Sequence, residues 1–265
     1  MIKFFRKIRQ NLLSENKFSK YLIYAIGEII LVVIGILIAL QINNWNEQRK
    51  EIAQEQKILF QLKLDFNKNL EQLDEKISMR SDITEASIKL LGFIDNPEFV
   101  ELDSIFFQLS FLLTDPTFDP VENNLIESGN LHLIRNDSLK LKLTNWTTDV
   151  YQLQEIELEY QKIRTEIIIP FNEKTGLHRN IINALWKDGY IPKFALNKTA
   201  SVKHKIGNTK KQLNISEILN NIEFEGIVAD SFNWSHVGNI QSLALRNQII
   251  EILNLIDSEI KENQT

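Results

Sequence analysis

Cysteine is absent from this sequence, and glycine and proline are scarce, with nine and five among 265 residues. A chain without cysteine forms no disulfide, holds no metal through thiolates and has no cysteine nucleophile. So few turn-forming residues disfavour a β-sandwich or barrel built from many short strands. The composition therefore favours helices and excludes chemistry that depends on thiols.

Motifs that carry chemistry are missing as well. No P-loop, G-x-S-x-G elbow or G-x-G-x-x-G turn occurs. Each of the four histidines (His132, His178, His204 and His236) lacks a second His or a Glu at the spacing that zinc and di-iron sites use. We therefore predict no enzyme and no catalytic, cofactor-binding or metal site. A net charge of −5 also disfavours nucleic-acid binding, which needs a basic surface.

What the sequence does contain is one long apolar run. Across residues 21–42 only Glu28 and Gln41 are strongly polar. At about 1.5 Å of rise per residue a helix of this length covers roughly 33 Å, enough to cross the hydrocarbon core. A cleavable signal peptide is disfavoured because no A-x-A-like site follows and the polar string QINNWNE comes next. We predict an uncleaved transmembrane helix at residues 21–42.

The flanks of this run predict its orientation. Residues 1–20 contain six lysine and arginine residues and one acid, whereas bases and acids balance just after the run. Because basic flanks stay in the cytoplasm, we expect residues 1–20 to be cytoplasmic and residues 43–265 to lie in the periplasm, outside a bacterial inner membrane. Two interpretations of residues 1–20 stay open: a basic amphipathic helix on the lipid surface, or an unstructured basic segment.

One face of the transmembrane run is a candidate contact surface. Gly27, Leu31, Gly35 and Ala39 follow one another at four-residue spacing, which permits close approach of a second membrane helix. Glu28 adds a carboxyl group at membrane depth, where ionisable residues are costly. It is interpreted as a partner contact, with a snorkelling or protonated carboxyl and a proton-linked site as alternatives. The predicted partners are the bilayer and a membrane protein or second copy.

The same segment carries a family resemblance. The string GEIILVVIGILIALQINNWNE at residues 27–47 resembles the hallmark of an uncharacterised family of single-anchor membrane proteins common in Bacteroidetes, domain of unknown function 6090. A second string, ESGNL at residues 127–131 and on to Leu139, is similar to a mid-chain motif of that family. The resemblance implies a membrane location and topology, and it assigns no activity.

Beyond the run the pattern is helical. The predicted fold class is all-α, with the transmembrane helix continuing without a break to about Gly92 and then a periplasmic up-and-down helical bundle. The buried stripe expected on the first helix comprises Ile52, Leu59, Leu62, Phe66, Leu70, Leu73 and Ile77.

Shorter helices are expected in the middle of the chain. Asp95-Asn96-Pro97 predicts the start of one of them. Asp115-Pro116 and Asp119-Pro120 each place an N-cap acid before a proline, with Glu122 completing a capping box, and Gly129 is expected to end that helix.

Two more long helices complete the predicted bundle. The first is capped by Asn136-Asp137 and ends at Pro170, and the second covers residues 237–261, with short helices near residues 180–187 and 216–221. Their expected buried residues are Leu139, Leu143, Trp146, Val150, Leu153, Tyr160 and Ile167 on the first, and Ile240, Leu243, Ile249, Leu253, Ile256 and Ile260 on the second.

These patterns favour a non-enzymatic, membrane-anchored periplasmic interaction or scaffold module. The alternative is a small-ligand-sensing helical domain that signals through a partner, because helical bundles bind small molecules between their helices. The lysine-rich residues 193–211 are expected to form a solvated loop, with contact to anionic lipid headgroups or to an acidic partner as the alternative.

Overall fold

The computed structural model describes residues 18–121, 129–187 and 204–260. These residues form helices and no strand, which confirms the all-α fold class. The helices are α1 (Phe18–Asp95), α2 (Leu102–Phe111), a 3₁₀ helix (Asn130–Leu133), α3 (Asp137–Lys162), a π-helix (Ile163–Ile168), α4 (Ile169–Thr175), α5 (His178–Lys187), α6 (Ile215–Leu219) and α7 (Ile222–Glu259). The basic segment up to residue 17, Glu122, Glu127, Ser128 and Lys193 to Lys203 lie outside the described residues.

Contacts divide the chain into two compact units, with the boundary between Lys57 and Ile58. In the first unit the described chain is the N-terminal part of α1, which continues past Asn43 and Asn44 without a helix break. The side chains of its apolar run are exposed, as in Leu31 at 71 %. This part of α1 therefore presents an apolar helical surface.

In the second unit, α1 and α7 run in opposite directions. Lys63 Nζ lies 2.7 Å from Asp257 Oδ1, whereas Asp74 Oδ1, further along α1, lies 2.5 Å from Arg246 Nε, further back along α7. Both ion pairs are partly exposed, so they specify alignment more than they stabilise the fold.

By contrast, α1 and α3 run in the same direction. The rings of Phe66 and Trp146 pack edge to face at 5.0 Å between centroids, and further along both helices Arg80 meets Glu157 at 2.6 Å. The first two long helices, α1 and α3, therefore do not alternate direction as the expected up-and-down bundle would, whereas α7 runs opposite to both. Between α1 and α3 the chain passes through the short α2 and a non-helical segment.

Two apolar clusters form the core of this unit. The first contains Leu59, Leu62, Phe66 and Leu73 of α1, with Phe118, Ile134, Leu139, Leu143, Trp146, Val150, Leu153, Leu245, Ile249, Ile252 and Ile256. The second contains Ile83, Ala86 and Leu90 of α1, with Ile105, Phe106, Leu109, Leu112, Tyr160, Ile168, Phe171, Leu177, Ile181, Ile218, Leu219, Phe224, Ile227 and Val228. The stripe predicted on α1 is thus confirmed at its central positions.

The middle of the chain differs from the sequence expectation. Asp95-Asn96-Pro97 starts no helix, and α2 begins at Leu102 after Glu101, whose side chain makes no capping hydrogen bond. Asp115-Pro116 starts none either, because residues 114–121 are non-helical. Gly129 does adopt the expected left-handed conformation at φ 71°, although the helix it was expected to end lies outside the described residues. We name residues 114–121 the strap.

Pro170 does not end the second long helix. Asn136 caps α3 as predicted, its Oδ1 accepting from Leu139 N at 2.9 Å, but the helix runs through the π segment into α4. Proline inside an α-helix clashes with the carbonyl four residues earlier, and the wider π turn just before Pro170 relieves that crowding. The π segment shifts the register by one residue, so Ile168 is buried and the predicted Ile167 is 42 % exposed.

The last helix also departs from its predicted pattern. It begins at Ile222 rather than near residue 237, because Asn221 Oδ1 accepts from the amides of Glu223 and Phe224 at 2.9 and 3.2 Å. Ile240 and Leu243 are exposed, which corrects two expected core positions. The buried face of this part of the helix is instead made of small residues: Ser231, Ser235, Gly238 and Ser242.

Candidate functional site

The five residues that the sequence singles out all lie on the N-terminal part of α1. Gly27, Glu28, Leu31, Gly35 and Ala39 are exposed. A Cβ built on Gly27 or Gly35 would meet nothing within 4 Å, so space is open beside both glycines. The structure thus keeps the predicted contact face on one helix and free of cover from the described chain.

A second candidate site, which the sequence did not indicate, is a buried polar layer between the two apolar clusters. Its centre is the guanidinium of Arg80, which is only 2 % exposed. Arg80 Nη1 donates to Glu157 Oε1 at 2.6 Å and to Pro116 O at 2.8 Å. Nη2 donates to Ser242 Oγ at 2.5 Å, and Nε donates to Asn239 Oδ1 at 3.2 Å. One side chain of α1 therefore joins α3, α7 and the strap.

Glu157 completes this layer from α3. It is 4 % exposed at its side chain, and its Oε2 accepts from the backbone N–H of Phe118 in the strap at 3.0 Å. The same stretch of α3 also holds the residues just before the strap, because Tyr160 Oη donates to Leu112 O at 3.0 Å. Phe118, which is fully buried, is thereby held against the helices by both its side chain and its backbone.

The rest of the strap is held by amide side chains of α1. Asn69 Oδ1 accepts from Val121 N at 2.7 Å, and Gln72 Oε1 accepts from Asp119 N at 3.0 Å. Both bonds lie at exposed or half-buried positions, so they fix the end of the strap against α1 rather than satisfying groups in the core. Side chains therefore take the place of a β-ladder in fixing the strap.

Small residues on α7 make room for the Arg80 side chain. A Cβ at Gly238 would lie 3.0 Å from Arg80 Cδ and 3.9 Å from Ile156 Cγ2. Beside Gly238 is a cavity of about 10 Å³, roughly the space for one water molecule. Ser235 lines this cavity, and its Oγ has no hydrogen-bond partner among the residues that the structure describes.

Burial dominates the electrostatics of the layer. Loss of water raises the pKa of Glu157 above its ordinary value, against the opposing effects of Arg80, the Phe118 N–H and Lys76. Burial also lowers the pKa of Arg80, partly offset by Glu157, yet a guanidinium keeps its proton at neutral pH. Burial raises the pKa of Tyr160 as well, which keeps its hydroxyl a donor. The desolvation of both charges thus outweighs their attraction, as is common for buried ion pairs.

The sequence contains one indication of this layer, which the list of apolar positions on α1 leaves out. Arg80 follows Leu73 and Ile77 at the spacing of the buried stripe, so a charged residue stands where the next apolar one is expected. Burial of an unpaired arginine is too costly to be plausible, so a core-facing arginine implies a buried acid somewhere on a neighbouring helix. Which acid it is depends on how α3 packs.

These features define an all-helical protein with one N-terminal helix that is long and apolar enough to cross a membrane, and a helical unit centred on a buried polar layer. A family of unknown function (DUF6090) has a sequence model that matches residues 28–168, just over half of the chain, and the chain belongs to this family. The matched residues include Arg80, the strap and Glu157. No curated protein matches the chain, and no solved structure does.

Proposed function

We propose that this protein is a single-pass protein of a bacterial inner membrane, with residues 1–20 in the cytoplasm and residues 43–265 in the periplasm, and that it serves as a non-enzymatic interaction module. The observation that carries the proposal is the exposed apolar surface of α1, where Leu31 is 71 % and Ile23 69 % exposed. Apolar surface of this extent is stable in lipid and costly in water. The basic N-terminal flank supports the orientation.

The contact that the module makes is proposed for the face of Gly27, Leu31, Gly35 and Ala39. Small residues at this spacing let two helix backbones approach closely, and in lipid such packing, rather than apolar burial, drives helix association. Glu28 beside this face would be stabilised by a polar group on the neighbouring helix.

The buried polar layer supports a structural role in preference to a catalytic one. Arg80 makes hydrogen bonds to four protein groups, Glu157 accepts from two, and the adjoining cavity has room for a single water. A substrate could not reach these groups without opening the core. We therefore assign Arg80 and Glu157 to holding the strap and the helix alignment.

Topology is testable because the chain has no cysteine of its own. Two single-cysteine variants, Ser14→Cys and Thr147→Cys, would be treated in intact and in outer-membrane-permeabilised cells with a membrane-impermeant maleimide. We expect Cys labelling at position 147 after permeabilisation of the outer membrane alone, and at position 14 only after the inner membrane is lysed. The reverse pattern, or recovery of the protein in the soluble fraction, contradicts the proposal.

Partner contact is tested in the same membranes by crosslinking followed by mass spectrometry, comparing the natural sequence with Glu28→Leu. We expect a specific crosslinked product, either a dimer or a complex with one membrane protein, that is lost in Glu28→Leu while insertion persists. Recovery of the monomer alone from the natural sequence contradicts the interaction module, and an unchanged product in the variant removes Glu28 from the contact.

A further inference from the structure

A polar cleft lies in the second unit between α2, α5 and the segment that begins at His204. Its volume is about 530 Å³, within the range of about 300–1,000 Å³ that small-molecule sites occupy. It is separate from the buried polar layer and from the apolar face of α1. From this cleft we propose that the protein binds a neutral, hydroxylated small molecule of the size of a sugar. The proposal goes beyond the interaction module and does not depend on it.

The first observation for this site is the side chain of Gln108 on α2. Gln108 is 8 % exposed and lines the cleft, and its amide has no hydrogen-bond partner among the described residues. A primary amide carries two donor hydrogens and an acceptor oxygen, and those of Gln108 are not among the buried side-chain atoms that lack a hydrogen-bond partner, so they are open to the cleft. An amide held at the wall of an open cleft is satisfied when a bound molecule, or water in its absence, supplies those partners.

The opposite wall is also rich in amides, and hydrogen bonds join them to the segment after His204. Asn183 Oδ1 accepts from Ile206 N at 3.1 Å, and its Nδ2 donates to Asn208 Oδ1 at 3.1 Å. Asn180 Oδ1 accepts from Thr209 N at 2.7 Å. These bonds fix the segment after His204 against α5, so the polar groups of the wall are held in place before any ligand arrives. Such preorganisation lowers the entropic cost of binding.

An aromatic ring completes the cleft. Phe107 of α2 lines it with 48 % of its surface exposed, and the ring is held edge to face by Phe111 at 5.2 Å between centroids. An apolar face beside groups that both donate and accept matches a molecule with hydroxyls on its edge and C–H groups on its face.

Charge selects the class of ligand. Among the described lining residues the charged groups are one carboxylate, Asp103, which has an interaction partner, and one ammonium, Lys205; the other polar side chains are neutral amides and a hydroxyl. A site for a phosphate or a dicarboxylate would need an excess of cationic donors. Amides and the hydroxyl of Ser104 instead offer donors and acceptors together, as hydroxyl groups require.

The test uses the full-length protein in lipid nanodiscs and saturation-transfer NMR. The neutral probes are D-glucose, N-acetylglucosamine and myo-inositol, with L-glutamate and glucose 6-phosphate as charged comparators. We expect saturable binding of at least one neutral probe and weaker or no binding of the charged ones. Absence of binding by every neutral probe, or binding of the charged comparators alone, overturns the proposal.

The variants are Gln108→Leu, the milder Ser104→Ala, and Gln152→Leu as a matched control at an exposed position on α3. Gln108→Leu is expected to weaken binding about tenfold or more, Ser104→Ala by a smaller factor, and the control not at all. Gln108→Leu removes an unpartnered amide, so its melting temperature should not fall. Binding that survives both cleft variants unchanged overturns the site.

Discussion

The first part of α1 and the polar layer at Arg80 invert the usual distribution of side chains. Around Leu31 a helix exposes apolar side chains in every direction, whereas around Arg80 the same helix buries a guanidinium at 2 % exposure. In water both arrangements are unfavourable, the first through apolar hydration and the second through desolvation of charge. Each therefore needs an environment that the helix itself does not supply.

The difference between the two regions lies in where that environment comes from. Arg80 finds its partners within the chain, on α3, α7 and the strap. The apolar part of α1 has no such cover within the first unit, where Gly27 and Gly35 face open space. A region completed internally serves the fold, whereas a region left incomplete is the place to look for lipid and partners. The predictions below are changes that separate these two roles.

The largest effect is expected from Arg80→Met. Removing the guanidinium leaves Glu157 buried without its counter-charge and leaves Pro116 O and Ser242 without their donor. The free energy of unfolding should fall by about 3–5 kcal/mol at pH 7. Urea unfolding of the full-length protein in detergent, followed by circular dichroism at 222 nm, measures it.

The double variant Arg80→Met/Glu157→Leu is the control for that loss. It removes both charges, so it should recover at least half of the lost free energy, although the Phe118 N–H still lacks its acceptor. If the double variant is no more stable than Arg80→Met, the desolvated charge is not the cause of the loss.

The next effect distinguishes two glycines on α7. Gly238→Ala places a Cβ 3.0 Å from Arg80 Cδ, and the Arg80 side chain is too firmly hydrogen-bonded to move, so we expect a loss of about 1–3 kcal/mol. At Gly226 nothing lies within 4 Å, so Gly226→Ala should stabilise the protein by about 0.5–1 kcal/mol through helix propensity. Thermal unfolding of both variants tests the contrast, and a shift of the same sign in both refutes it.

A smaller effect concerns pH and the carboxyl of Glu157. Burial raises its pKa above the ordinary 4.5, so the folded state keeps a proton over a range of pH in which the unfolded chain has released it. The free energy of unfolding therefore falls as pH rises through this range, by at most about 1.4 kcal/mol per pH unit.

Glu157→Gln lacks this titration. Unfolding free energies of both proteins from pH 4 to pH 8 should show that the natural sequence loses stability relative to the variant as pH rises. If the natural sequence instead gains stability relative to the variant as pH rises, Arg80 lowers the pKa of Glu157 more than burial raises it.

The smallest effect on stability is expected from Gly35→Ile in the exposed part of α1. Because no atom beyond the neighbouring backbone of its own helix lies within 4 Å of a Cβ at this position, the free energy of unfolding of the helical unit should change by less than about 0.5 kcal/mol. The crosslinked product in membranes should nevertheless be lost, since the larger side chain blocks close helix approach. A large loss of stability with the crosslinked product intact would mean that this part of α1 serves the fold rather than a contact with a partner.

Regular helices and their caps were predictable because their signals are local. Asn136 caps α3, and Leu59, Leu62 and Phe66 are buried on α1 as their spacing indicated. The failures have tertiary causes. At Pro170 the helix continues because a π turn absorbs the proline, which moves burial from Ile167 to Ile168. At Asp115-Pro116 a good helix-start signal gives way to the strap.

The candidate site was predictable only where it is local. The face from Gly27 to Ala39 follows from spacing along one helix and is exposed, and its role as a contact surface stays a prediction. The polar layer joins Arg80 to Glu157 and Ser242, which are 77 and 162 residues away along the chain. On α7 the layer is lined by small residues, which an apolar pattern does not reveal. The apolar residues Ile240 and Leu243 instead predicted a different buried side of this helix, and both are exposed.

The sequence by itself determined that this is a helical protein with one apolar run long enough to cross a membrane, because hydrophobic length and periodicity are properties of a single segment. It also determined membership of the family, whose sequence model matches residues 28–168. Only the tertiary structure decided that α1 and α3 run in parallel, that residues 114–121 form the non-helical strap, and that the guanidinium of Arg80 has hydrogen-bond partners. Those outcomes depend on which distant side chains meet in the core, and the balance between desolvation and pairing is set only there.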